Sequence, residues 1–260
     1  MHKAWRSKKM KRFLAVLLSL ILASGSLFVA AFATDGKKEK VYPVILLQGY
    51  SGPKLFNQDT GEKAWGLDFD KVKEHVLNDY GKDLANGAKE YAKGNPDPLV
   101  DTLGTILLDV MDPIACNADG TSKYNLDTFP KGAEATRMST LIANGQEEYI
   151  GEKPIMTGFV EKLTQQGVEN AADYIFIYTN DWRKGQAQYA KDIDAYIDEV
   201  RALTGSDKVD IYGLSFGGQC GASYLYYYGE KAKVHKACLN VPAIGGTNMV
   251  GDPLLGNDIT

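Results

Sequence analysis

The sequence predicts an α/β fold with a mostly parallel sheet, and three observations predict it. Four short runs are apolar and rich in β-branched and aromatic residues: "YPVILLQ" from Tyr42, "DYIFIYT" from Asp173, "KVDIYG" from Lys208 and "VHKACLNV" from Val234. Runs without polar alternation suit strands covered on both faces. Helical patterns separate the later runs, and alternation of strand and helix implies parallel neighbours joined by right-handed crossovers. Finally, 260 residues with 44% hydrophobic and 24% charged side chains suffice for one sizeable core.

The first 33 residues differ from the rest. Six Lys or Arg and no acidic residue precede an apolar stretch that starts at Phe13 and closes on Ala31-Phe32-Ala33, a small-x-small site. This predicts a secretory signal peptide over 1–33 and a secreted or extracytoplasmic protein. The alternative is an N-terminal membrane anchor, since Phe13 to Ala33 is nearly long enough to span a bilayer, although Ser19, Ser24, Gly25 and Ser26 weaken it. Without the leader, 23 basic residues face 33 acidic ones, a net charge of −10. That balance argues against nucleic acid as a partner and against a basic membrane-docking face. It leaves open transient contact with a lipid interface through an apolar cleft.

After the first strand comes a long insertion, about 56–152. It holds a polar helical stretch, "FDKVKEHVLNDYGKDLANGAKEYAKG", then "DPLVDTLGTILLDVMDP", which is apolar on more than one side. A structureless loop of this length is improbable, so a helical subdomain or cap is expected. "KPIMTGFVEKLTQQGV" groups Met156, Phe159, Val160 and Leu163 on one helical stripe. "GQAQYAKDIDAYIDEVRALTG" does the same with Tyr189, Ile193, Tyr196, Ile197, Val200 and Leu203, and Gly205 supplies its stop.

The third strand ends in Gly213-Leu214-Ser215-Phe216-Gly217-Gly218 and runs into a helix-like segment. Strand, tight turn and helix around Gly-x-Ser-x-Gly are the setting of a nucleophile elbow. Such a turn strains the serine backbone, so small residues must stand two before and two after it, here Gly213 and Gly217. Ser215 is therefore the candidate nucleophile, projecting at the carboxyl end of a parallel strand, where α/β sheets bind ligands. An acyl-transfer nucleophile also needs an oxyanion hole. The N–H of Phe216, opening the following helix, is one natural donor. The loop after the first strand, "LLQGYSGPKLF", offers the N–H of Tyr50 as the second, with Gly49 permitting a close approach; the plainer reading of Gly49 to Gly52 is a turn.

"PVILLQGYSGPKL", "PIMTGFVEKLTQQG", "NDWRKG" and "VDIYGLSFGG", in this order, resemble the lecithin:cholesterol acyltransferase family of α/β-hydrolases, and "NVPAIGGT" is similar to that family's Pro-x-x-Gly-Gly turn. The resemblance covers about 42–247, poorly across the insertion. It implies an α/β-hydrolase fold and transfer of acyl chains from lipid esters to water or an alcohol through a Ser-Asp-His triad. Ser215 would be the nucleophile and Tyr50 and Phe216 the oxyanion donors. Gln48 stands where the family has proline and Leu214 where it has histidine, and both departures loosen any inference about substrate. Asp181-Trp182-Arg183 reads first as structural, Asp181 capping or bracing the next helix and Arg183 pairing beneath it. The functional alternative has Trp182 lining an acyl pocket.

In this fold the acid and histidine follow the serine. The chain has three histidines. His2 lies in the leader, His75 in the polar helix of the insertion, where solvation is expected, and His235 at the start of the fourth strand, at the sheet end opposite Ser215. Asp252 and Asp258 earn no assignment. The expectation is a chain representing the N-terminal portion of a hydrolase domain over 34–260, inactive alone, with acid and histidine further on. Two readings compete: an exported serine lipase, esterase or acyltransferase, and a non-catalytic exported binding protein on the same scaffold. A dinucleotide site is not indicated, because "GLSFGG" lacks the required glycine spacing. No metal is implied, since no His, Cys or carboxylate cluster has ligand spacing, and no cofactor is expected. Cys116, Cys220 and Cys238 are too few and scattered for a disulfide framework, and Cys220 and Cys238 read as small core residues.

Overall fold

A computed structural model describes residues 40–245 except 51, 67–68 and 152, together with all but the side chain of residue 69. The leader, and Asp252 and Asp258, lie outside the described residues. The chain forms two compact units. The larger comprises residues up to Gly52, Pro130–Thr179 and Arg183 onward; the smaller comprises Pro53–Phe129 with Asn180–Trp182. The inserted unit therefore ends at Phe129, well before residue 152, and the segment from Pro130 belongs with the main sheet.

All four apolar runs are strands of that sheet: β1 (Val44–Leu47), β5 (Ile175–Tyr178), β6 (Val209–Leu214) and β7 (Val234–Asn240). They lie in the order β5-β1-β6-β7, and every neighbouring pair is parallel. Every residue of β1 and β5 is buried, as expected of strands covered on both faces. Their side chains alternate between two cores. Ile45, Leu47, Phe176, Tyr178, Val209 and Ile211 face one; Val44, Leu46, Ile175, Ile177 and Tyr212 face the other.

Helices fill each side. α3 (Met138–Ala143) and α4 (Lys153–Gln165) bury Met138, Leu141, Met156, Phe159 and Leu163 in the second core. α5 (Gln186–Thr204) places Tyr189, Ile193, Tyr196, Ile197 and Val200 in the first, which is the stripe its spacing predicts. Leu203 departs from that stripe and is exposed in the last turn, just before Gly205 ends the helix in a left-handed conformation. α6 (Phe216–Tyr228) adds Cys220 and Tyr224 to the same core. Cys220 is buried, Cys238 packs at the border of the second core, and Cys116 is exposed; all three are free thiols.

The smaller unit is not purely helical. β2 (Leu55–Asn57), β3 (Lys63–Trp65) and β4 (Leu126–Thr128) form an antiparallel sheet in the order β3-β2-β4. Three-residue strands are too short to show a period in sequence, which is why the pattern predicts helices alone there. The helices are α1 (Phe69–Ala92) and α2 (Asp97–Met111). They pack antiparallel, with Gly87 so close to the Leu99 backbone that a Cβ would lie 2.8 Å from the Leu99 Cα. His75 on α1 is exposed, as expected, and both its ring nitrogens also have carboxylate partners. Its Nδ1 lies 2.7 Å from Asp79 and its Nε2 2.6 Å from Asp109 on α2, so the ring ties the two helices together. α2 buries none of its side chains and exposes Val100, Leu103, Leu107 and Leu108. No described helix is long and apolar enough to cross a membrane.

Candidate active site

Ser215 occupies the single residue between β6 and α6. Its backbone has φ 53° and ψ −117°, a combination that costs an L-residue of order 1–3 kcal/mol and persists only where neighbours enforce it. Three hydrogen bonds enforce it here. The Ser215 N–H donates to the Asn240 carbonyl at 2.9 Å, and its own carbonyl accepts from Gly218 N–H at 3.0 Å and Gln219 N–H at 3.2 Å. β6 thus stays in register with β7 up to the serine, and the helix starts immediately after it. The Ser215 side chain is exposed, not folded into the sheet.

Steric necessity explains the flanking glycines. A Cβ on Gly213 would lie 2.7 Å from the Gly217 carbonyl oxygen and 2.8 Å from the Gly218 Cα. At Gly217 it would lie 1.9 Å from the carbonyl oxygen of Leu47, a distance no side chain can take. The first turn of α6 therefore rests on the main chain at the carboxyl end of β1. This contact needs the parallel pairing of β1 with β6, which sets Leu47 opposite Gly213.

The same contact brings the loop after β1 to the elbow. Gly49 is buried, and its carbonyl accepts from Gly52 N–H at 3.1 Å, closing a turn. The Tyr50 ring meets the Phe216 ring edge-on, centroids 6.4 Å apart. Phe216 in turn packs edge-on against buried Tyr189 of α5 at 5.5 Å. Ser215, Phe216, Gly213, Gly217 and Tyr50 thus form one constellation at the carboxyl ends of β1 and β6. Partial desolvation raises the half-exposed Tyr50 phenol above its ordinary pKa.

His235, the histidine of the larger unit among the described residues, does not stand beside Ser215. His235 sits beside Asp210, with Nδ1 3.0 Å from Oδ1, and stacks on Tyr42 with centroids 4.3 Å apart. Asp210 is the second residue of β6 and Ser215 follows its end, a separation of roughly 16 Å along a strand. His235 is therefore more than a residue at the start of a strand, since it partners a buried carboxylate, but it does so at the far end of the sheet from the serine.

Asp181 does not cap the helix that follows it. The N-cap of α5 is Gly185, and no side chain caps it. Trp182 packs against Trp65 at 4.9 Å within the smaller unit, a contact between residues 117 positions apart that no local pattern announces. A cavity of about 200 Å³ lies in the same unit, lined by residues including Asn57, Lys63, Asp112 and Tyr124. It is below the usual size of a small-molecule site and contains none of the elbow residues. Groups of three or more His, Cys, Asp or Glu arranged to hold a metal are absent among the described residues.

Sequence reasoning marked Gln48 as a departure from the resembled family but gave its side chain no role. It is buried at 2% exposure directly after the wholly apolar β1, and its side chain reaches the Tyr178 carbonyl. An amide ending an apolar run was the available signal. Compared with known proteins, the chain matches no family model, no curated protein and no solved structure.

Proposed function

We propose that this chain is an exported serine hydrolase or acyltransferase acting on lipid acyl esters, built on an α/β-hydrolase scaffold like that of the lecithin:cholesterol acyltransferase family. Ser215 is the nucleophile, and the N–H groups of Tyr50 and Phe216 stabilise the oxyanion. The observation that carries this reading is the backbone of Ser215. A serine at φ 53° and ψ −117°, exposed between a central parallel strand and a helix, is held at a cost that an ordinary turn serine would avoid.

The chemistry proceeds as acyl transfer. The Ser215 hydroxyl loses its proton to a base and adds to the ester carbonyl. The resulting oxyanion is met by the two amides, the leaving alcohol takes the proton, and water or a second alcohol releases the acyl group. In the resembled family the base is a histidine and its orienting group an acid, and both follow the nucleophile in the chain. The alternative reading is a binding protein that retains the scaffold without catalysis. It is favoured by the placement of His235, which is committed to Asp210.

A fluorophosphonate probe separates the two. Stoichiometric labelling of the secreted full chain that disappears in Ser215→Ala supports the enzyme. Absence of labelling on the wild-type chain at millimolar probe and hours of incubation supports the binding protein.

A further inference from the structure

We propose that Gln48 is a positioning residue for this site, its side chain wedged between Gly52 and Gly151 so as to set the path of the turn that carries the Tyr50 N–H. The inference rests on the acyl-transfer reading given above.

A buried amide where an aliphatic side chain would satisfy burial requires a reason. Gln48 Nε2 makes one long hydrogen bond, 3.4 Å to the Tyr178 carbonyl, and Oε1 has no hydrogen-bond donor among the described residues. Oε1 instead lies over two glycines. A Cβ on Gly151 would fall 2.1 Å from it, and a Cβ on Gly52 would fall 2.5 Å from it and 2.8 Å from the Gln48 Cβ. Neither glycine has a positive φ, so the backbone would accept alanine at both positions. Space is what demands glycine, and the Gln48 side chain occupies that space.

The main chain of the same residue touches the elbow. A Cβ on Gly217 would lie 2.6 Å from the Gln48 carbonyl oxygen. Gln48 therefore meets the first turn of α6 through its backbone and the Gly49-to-Gly52 turn through its side chain, while Tyr178 anchors the amide from β5. Oxyanion stabilisation depends on holding two donors to within about half an ångström of each other's geometry. The wedge fixes one donor-bearing segment relative to the other. Aliphatic side chains of similar size lack the planar, narrow end that fits between two α-carbons, and this explains an amide at the end of an apolar strand.

The test is a double-variant cycle on the full chain, read by hydrogen exchange at the Gly52 N–H. Gly151→Ala alone is expected to raise that exchange rate at least tenfold, and the same change in a Gln48→Ala background less than threefold. Equal effects in the two backgrounds overturn the proposal. If Gly151→Ala does not fold but the double variant does, the clash lies with Gln48 and the proposal stands; if neither folds, it is overturned. Turnover of a chromogenic short-chain ester supplies a second readout. Gly151→Ala should lower kcat at least tenfold with KM moving less than threefold, and the Gln48→Ala background should remove most of that difference. A wild-type chain without esterase activity or Ser215 labelling would refute the function proposed above, whereas the exchange cycle decides the wedge by itself.

Discussion

Asp210 and His235 pair across β6 and β7, Nδ1 to Oδ1 at 3.0 Å, at the end of the sheet away from Ser215. Asp210 also accepts the Lys236 N–H at 2.9 Å, so the carboxylate bridges an irregular step where β7 slips relative to β6. Burial pushes the Asp210 carboxyl up from its ordinary value, while the His235 hydrogen bond pulls it partly back. The pair is a structural clasp.

A clasp can be removed without touching Ser215. His235→Asn should leave fluorophosphonate labelling of Ser215 within twofold of wild type. Asp210→Ala should destabilise by about 2 kcal/mol in urea unfolding, because two donors lose their acceptor. Loss of labelling in a folded His235→Asn chain would make this histidine part of the reaction.

Strain at the elbow has a measurable signature. Ser215→Gly should stabilise the chain by about 1 kcal/mol, since glycine takes φ 53° and ψ −117° readily and the residue is exposed. Ser215→Ala should be neutral within about 0.5 kcal/mol, the backbone penalty being retained. Equal stabilities for the glycine and alanine variants would show that the turn is unstrained.

Glycine positions separate by what surrounds them. Gly217→Ala should cost at least about 3 kcal/mol, because the new methyl would meet the Leu47 carbonyl at 1.9 Å and backbone on both sides cannot yield. Gly158→Ala, within α4 and with nothing inside 4 Å, should stabilise by about 0.5–1 kcal/mol through helix propensity. Chemical unfolding of the two variants side by side checks the contrast.

The α1–α2 hairpin should respond to pH through His75. The hydrogen bond to Asp109 raises its pKa, desolvation opposes this, and the charges of Asp109 and Asp79 add to the rise. The ring faces Asp79 and Tyr80 from α1 and Asp109 from α2. A histidine raised on folding stabilises fully below its unfolded pKa of about 6.5, and the contribution fades as pH climbs through the folded value. Ring nitrogen shifts followed by NMR should titrate above about 6.5 in the wild type and move downward in Asp109→Asn. A midpoint unchanged by that substitution would remove the clamp.

How far the fold was legible depended on the length of each signal. The four strands of the main sheet announce themselves as unbroken apolar runs, and the stripes of α4 and α5 repeat over enough residues for a period to emerge. Leu203 departs because a helical stripe does not report which of its turns has a neighbour to pack against. β2, β3 and β4 failed because three residues carry no period. The boundary at Phe129 escaped because contacts, not composition, decide to which unit the segment from Pro130 belongs.

By itself the sequence determined the alternation of strand and helix and the glycine-flanked serine between the third of the four apolar runs and the helix after it. These are local matters, governed by steric limits on the backbone and by the spacing of apolar side chains. Tertiary structure alone decided that the end of β1 lies against Gly217, that Gln48 fills the space over Gly52 and Gly151, and that His235 and His75 have carboxylate partners. Those facts depend on which distant segments meet, and that is settled by the register of parallel strands and the filling of a shared core.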